Sequence, residues 1–227
     1  MNLNKHYEEM WSKSLEKFER NEFQIDPQID SSDDLRRGVT LLIRPSELVK
    51  KEISNLINDL KIIEPHQYYY PSSDIHITVM SIVSCYSGFY LGDINIKDYE
   101  ELIALSLKNL RNEQIKFKGL TASPSCLMLK GFAANNQINL LRDNLRFNFN
   151  QTNLNSSLDS RYEIQSIHAT IVRFKTEIKN KKAFLELLEK YRDFDFGTFE
   201  VEHYEFVFND WYQKKEFTKI LNIFRPL

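Results

Sequence analysis

Twice in this chain a histidine and a threonine two residues apart interrupt an apolar, β-branched run: His76 and Thr78 in IHITVMSIV, His168 and Thr170 in IHATIVRF. Such runs form strands, and on a strand residues two apart share a face. His76 therefore lies on the same face as Thr78, and His168 on the same face as Thr170, while Ile77 and Ala169 point the other way. If the two strands pack side by side, four polar side chains converge in one cleft. Five histidines and eight threonines among 227 residues would give two His-x-Thr patterns by chance only about once in a hundred sequences.

The surroundings of the two runs repeat as well. GVTLLIR reads as a strand, PSELVKKEISNLINDLKII as a helix with Ser46 as its cap, and DIHITVMSIVSCY as a long strand. A helix is expected from Lys97 to Asn112, then strands near IKFKGLTAS and SCLMLKGF. NNQINLLRDNLRFNFN reads as a helix, SIHATIVRF as a strand, KNKKAFLELLEKYRDF as a helix and FGTFEVEHYEFVF as the last long strand. In each half, a strand and a helix lead to an apolar strand that holds a histidine. This order predicts an α+β protein of two similar lobes, each an antiparallel or mixed sheet with helices on one face. Residues 4 to about 22 place Tyr7, Met10, Trp11, Leu15 and Phe18 at helical spacing, and DPQIDSSDDLRRG follows as a connection. The expected division is an N-terminal helical extension over 1–37 and a two-lobed domain over 38–227.

Charge bounds the partners. Thirty Lys+Arg against 32 Asp+Glu give a formal net charge of -2, which argues against a binder of long duplex nucleic acid. The N-terminus lacks the layout of a secretory signal and no apolar run reaches the ~20 residues that span a bilayer. A soluble, cytoplasmic protein without a membrane partner is expected, acting as a monomer. Cys85 and Cys126 show no CxxC spacing, so buried reduced thiols are expected.

An imidazole gives or takes a proton near neutral pH, and a threonine hydroxyl donates to an anionic oxygen. Two such pairs suit a phosphodiester. One histidine deprotonates the attacking hydroxyl or water, the other protonates the leaving oxygen, and the threonines hold the non-bridging oxygens. No metal and no cofactor is needed.

These residues resemble the two-histidine (2H) phosphoesterase superfamily, which includes bacterial RNA 2′,3′-cyclic phosphodiesterases also described as 2′-5′ RNA ligases. HITV at 76–79 and HATI at 168–171 are similar to its paired His-x-Thr/Ser motifs, and FTKILNIFRPL resembles its aromatic-apolar tail. The resemblance covers roughly 38–227. It implies a bilobal, pseudo-two-fold fold whose sheets line a central cleft with helices outside. It also implies His76 and His168 as the catalytic pair, Thr78 and Thr170 as phosphate-binding residues, and a nucleotide or RNA-end phosphodiester as substrate, either a 2′,3′-cyclic phosphate that is opened or a 2′-5′ linkage that is cleaved. HATIVR resembles the His-x-Thr-x-x-Arg of many bacterial members, which brings in Arg173; the first copy has Ser81 there. The N-terminal helix departs from the minimal family domain.

The remaining candidates compete with plainer readings. In a regular strand Arg173 points away from His168, so a bulge or the strand's end must turn it inward. Tyr70, in the run of Tyr68 to Tyr70, and Tyr212, beside Trp211, could stack on a base or simply pack. His6, His66 and His203 read as ordinary core or surface residues, and Lys175, Lys179, Lys181 and Lys182 as the solvated start of a helix. A metal site on His76 and His168 lacks a third ligand at fixed spacing. Beside the enzyme stand two alternatives: a non-catalytic module binding a cyclic nucleotide or RNA end, and a 2′-5′ RNA ligase running the reverse reaction.

Overall fold

Alternation between strand and helix periods sets the order of elements in the computed structural model, which describes residues 2–160 and 163–226. Helix α1 covers Leu3–Glu19, strand β1 Arg36–Ile43, α2 Glu47–Ile63, β2 Tyr68–Tyr69, β3 Ile77–Ser87 and α3 Ile96–Leu107. Then come β4 (Gln114–Ser123), β5 (Cys126–Ala133), α4 (Gln137–Asn150), β6 (Ile167–Arg173), α5 (Lys181–Lys190), β7 (Asp195–Glu200), β8 (Tyr204–Asp210) and β9 (Lys219–Phe224). Local chemistry supports these boundaries. The Ser46 hydroxyl accepts from the Val49 amide at the start of α2, and Asn180 caps α5 in the same way through the Ala183 amide.

The strands form two sheets, ordered β3-β1-β8-β9 and β2-β6-β5-β4-β7, with every neighbouring pair antiparallel. Helices α1 and α2 pack on the five-stranded sheet, with α5 against α2, and α3 and α4 pack on the four-stranded one. The expected α+β architecture of two sheets with outer helices is what the chain adopts. The lobes are not successive halves, however. The four-stranded sheet combines β1 and β3 with β8 and β9 from the end of the chain, while β2 crosses to join β6.

The expected last strand divides in two. Phe196 and Phe199 of β7 are buried in one sheet and Tyr204 and Phe206 of β8 in the other, with Val201, Glu202 and His203 as the crossing between them. Unbroken β propensity marks a stretch as extended but not as belonging to one sheet.

One apolar cluster runs through both sheets. It includes Leu41 of β1, Ile53 and Leu60 of α2, Val79 of β3, Leu129 of β5 and Ile171 of β6, all fully buried, and takes in Trp11 and Phe18 from α1. The N-terminal helix thus shares its core with the rest of the molecule. The expected domain end at residue 227 lies outside the described residues. Cys85 and Cys126 are both buried thiols, and among the described residues no helix is long and apolar enough to cross a membrane.

Candidate functional site

β3 lies at the edge of its sheet, and β6 is separated from the edge of the other only by the two-residue β2. These strands pack against each other between the sheets. On β6, His168 and Thr170 are half-buried while Ile167, Ala169 and Ile171 are buried, as a period of two requires. His76 immediately precedes β3, with Ile75 and Ile77 fully buried on either side, and Thr78 is half-buried. All four polar side chains line one cleft with a volume of ≈ 350 Å³.

Bulges then alter the period, in the same place on both strands. Opposite β5, Leu127 pairs with Val172 and the next residue, Met128, with Thr170, so Ile171 is inserted. Opposite β1, Leu41 pairs with Met80 and Leu42 with Thr78, so Val79 is inserted. An inserted residue turns the following side chains onto the other face. Arg173 thereby joins His168 and Thr170 on the cleft wall, and Ser81 takes the matching place after Thr78. A second insertion at Ile82, between the pairs Thr40–Ser81 and Val39–Val83, brings Ser84 to the cleft too. The first strand therefore presents a run of hydroxyls where the second presents a guanidinium.

The two imidazoles are held differently. His76 Nδ1 lies 2.7 Å from the Asp74 carbonyl oxygen, which only accepts, so Nδ1 carries the proton and neutral His76 has its lone pair on Nε2. His168 Nδ1 lies 2.7 Å from the Ser166 hydroxyl, which can donate or accept. Among the described residues His168 is the only hydrogen-bond partner of that hydroxyl. Donation from Ser166 leaves no hydroxyl proton without an acceptor, and it places the proton of neutral His168 on Nε2. Burial pushes both imidazoles down from 6.5 to about 4. Arg44, His168 and Arg173 add to the effect at His76, while the Asp74 carbonyl opposes it. At His168, Arg142, Arg173 and His6 all push the same way.

The aromatic candidates separate. Tyr70 is 2% exposed, lines the cleft and accepts from Arg173 Nε at 3.0 Å, so it braces the guanidinium. Tyr212 is also 2% exposed and does not line the cleft. Its hydroxyl is bound to Asp26 at 2.9 Å and Arg36 at 3.2 Å, and its ring lies beneath the Arg173 guanidinium, 5.5 Å away. That corrects its expected place against substrate: in the turn that follows β8, Trp211 lines the cleft while Tyr212 is buried behind it, its hydroxyl taken by Asp26 and Arg36. Trp211 is half-buried, lines the cleft and carries the Arg36 guanidinium 4.7 Å from its ring centre. His6, His66 and His203 lie outside the cleft lining. Among the described residues no three His, Cys, Asp or Glu side chains form a metal-holding group.

The residues that hold the histidines lie just outside the His-x-Thr spacing. The two motifs extend backwards to five residues, Asp-Ile-His-Ile-Thr and Ser-Ile-His-Ala-Thr, and the first residue of each engages its histidine. Arg142 was hidden differently. It falls on the buried stripe of α4 with Ile138, Leu141, Leu145 and Phe149, and a lone arginine on an apolar helical face was the available signal.

No family model matches the chain. It is 27% identical over 172 residues to a curated protein of Methanocaldococcus jannaschii named RNA 2′,3′-cyclic phosphodiesterase, covering 72% of this chain and 86% of that one. Among solved structures, TT0787 of Thermus thermophilus is 15% identical with a TM-score of 0.58, over 84% of this chain and 97% of that one. E. coli LigT complexed with 3′-AMP is 10% identical with a TM-score of 0.54, over 84% of this chain and 98% of that one. The two structures share this fold.

Proposed function

We propose, from the two His-x-Thr motifs and the likeness to the M. jannaschii relative, that this chain is a 2H phosphoesterase, a metal-independent phosphodiesterase opening 2′,3′-cyclic phosphates of nucleotides or RNA ends. The observation that carries the proposal is that two His-x-Thr pairs, each followed by a bulge, line one and the same cleft from strands that pack against each other. The name of the M. jannaschii relative and the 3′-AMP held by E. coli LigT support the choice of substrate. The cleft volume also falls within the range of small-molecule sites.

His76 is the base. Its lone pair on Nε2 takes a proton from water as the water oxygen attacks phosphorus, and the Asp74 carbonyl stabilises the imidazolium that forms. His168 is the acid. Its cationic neighbours make its imidazolium eager to lose a proton, and the Ser166 hydroxyl turns to accept from Nδ1 when the ring is charged. As the bond from phosphorus to the ribose oxygen breaks, the Nε2 proton passes to that oxygen. Thr78 and Thr170 donate to the non-bridging oxygens, and Arg173 balances the charge that builds there.

Hydrolysis of 2′,3′-cyclic AMP in EDTA tests the reading. His76→Ala and His168→Ala should each lower kcat by about 10²- to 10⁴-fold with folding retained, and the double variant should fall little further. Full activity in either single variant, or its abolition by EDTA, would sink the assignment.

A further inference from the structure

Arg142 is 1% exposed, and among the described residues no carboxylate forms an ion pair with it. A buried guanidinium without a counter-ion is a costly thing to keep, so its hydrogen bonds indicate what it is kept for. Nε donates to the Val79 carbonyl at 3.0 Å, and one terminal nitrogen donates to the carbonyls of Thr78 at 3.2 Å and Ser166 at 2.9 Å. The other terminal nitrogen reaches the Asn139 side-chain oxygen at 3.4 Å. Thr78 and Val79 belong to the first motif and its bulge, whereas Ser166 lies two residues before His168. A single planar group therefore spans both motif strands, and its rigid fork sets the distance between them. Burial brings its pKa down to about 10, which leaves it charged at neutral pH.

The same stretch is gripped from its other side by the N-terminal helix. Tyr7 is fully buried, and its hydroxyl accepts from the Ile167 amide at 3.0 Å and the Gly131 amide at 3.4 Å while donating to the Gly131 carbonyl at 3.2 Å. Gly131 is the β5 partner of Ile167, and a Cβ there would lie 1.9 Å from the Ile167 carbonyl oxygen. Burial pushes the Tyr7 hydroxyl up to about 12, so it stays neutral and able to donate. The carbonyl and the amide of one peptide group, Ser166–Ile167, are thus held by Arg142 and by Tyr7. The Ser166 hydroxyl at one end of that peptide holds the His168 ring.

We propose that Arg142 and Tyr7 are positioning residues for the catalytic pair: Arg142 fixes the second motif against the first, and Tyr7 makes the N-terminal helix part of the catalytic architecture. The proposal rests on the reading of His168 as the acid. It assigns a role to a helix outside the minimal domain that the sequence resembles. Misplacing a reacting group by about 1 Å costs on the order of 10²-fold in rate, so modest loosening of this peptide has a large kinetic effect.

The experiment compares Arg142→Lys, Arg142→Met, Tyr7→Phe and Ser14→Ala. It measures kcat and KM on 2′,3′-cyclic AMP, thermal unfolding, and NMR titration of the His168 ring. Arg142→Lys keeps the charge but cannot bridge three carbonyls, so kcat should fall about tenfold or more with KM within about threefold. Arg142→Met, where it folds, should also raise the His168 pKa, because one of the two guanidinium groups that push it down is lost. Tyr7→Phe removes one hydroxyl and no charge, yet kcat should fall and the His168 titration should shift. Ser14 anchors the same helix through the Ala122 carbonyl without touching the peptide, so Ser14→Ala should match the wild type in kcat. Wild-type kcat in Arg142→Lys or Tyr7→Phe would overturn the proposal, as would an equal loss in Ser14→Ala. A wild-type protein without turnover would refute the proposed function instead. Positioning would then be read from the His168 titration, which needs no turnover: an unchanged curve in Tyr7→Phe and Arg142→Lys would overturn it.

Discussion

His76 and His168 are both neutral above about pH 4, so the proposed mechanism requires His168 to take up the proton it delivers when the substrate binds. An anionic phosphodiester between the rings favours the imidazolium and raises the pKa of the ring that takes the proton. NMR titration with and without 3′-AMP checks this: the nucleotide should shift the His168 curve upward, and an unmoved curve would count against its role as the acid. Thr78→Val and Thr170→Val keep the strand-forming shape and remove one donor each. Each should lower kcat by about 10²-fold if the hydroxyls meet developing charge. At this scale the sequence was most legible where polar residues interrupt an apolar run, as His76, Thr78, His168 and Thr170 do. Ser166 and Arg142 were less so, because their work is done through a hydroxyl and a backbone bridge that no spacing rule announces. Tyr212 was not separable from Trp211 for a related reason: both lie in the turn after β8, where no period says which of two neighbouring aromatics reaches the cleft, and Trp211 does.

At the scale of elements, bulges decide which side chains reach the cleft. The strict period of two explains why Arg173 was expected to face away, and the insertion at Ile171 explains why it does not. An inserted residue costs one step of register and leaves no mark in composition, so it could be named as a requirement from sequence but not located. The close approach of β5 to β6 yields a sharper prediction. Gly131→Ala would drive a methyl into the Ile167 carbonyl, and only a shift of β6 relieves it. Both thermal stability and kcat should fall, whereas Gly92→Ala, where a Cβ meets nothing within 4 Å, should change neither. Equal behaviour of the two variants would argue that β6 tolerates displacement. The expected final strand shows the converse limit. Local propensity saw one extended stretch, and only the pairing of β7 with β4 and of β8 with β1 separates it into two sheets.

For the molecule as a whole, the two depressed histidines tie stability to pH with a definite sign. In the unfolded chain each takes up a proton near 6.5, and in the folded protein near 4, so between these values the unfolded state binds more protons. Stability should therefore decline as pH falls from about 6.5 to about 4, with little further loss from this source below that window. Urea unfolding across the range would show it, and a flat profile in His76→Ala/His168→Ala would trace it to this pair. The two-lobed plan was legible because each half carries the same order of elements. How the halves interlace was not, because pairings between distant strands leave no local trace. That interlacing bears on how the molecule is made. β1 lies between β3 and β8, with Arg37 opposite Asp210. A nascent chain that has reached α5 has both histidine strands but only β1 to support the first, and the four-stranded sheet cannot close until β8 leaves the ribosome. The cleft is thus among the last features to form, and long-range pairing of this kind makes folding slow.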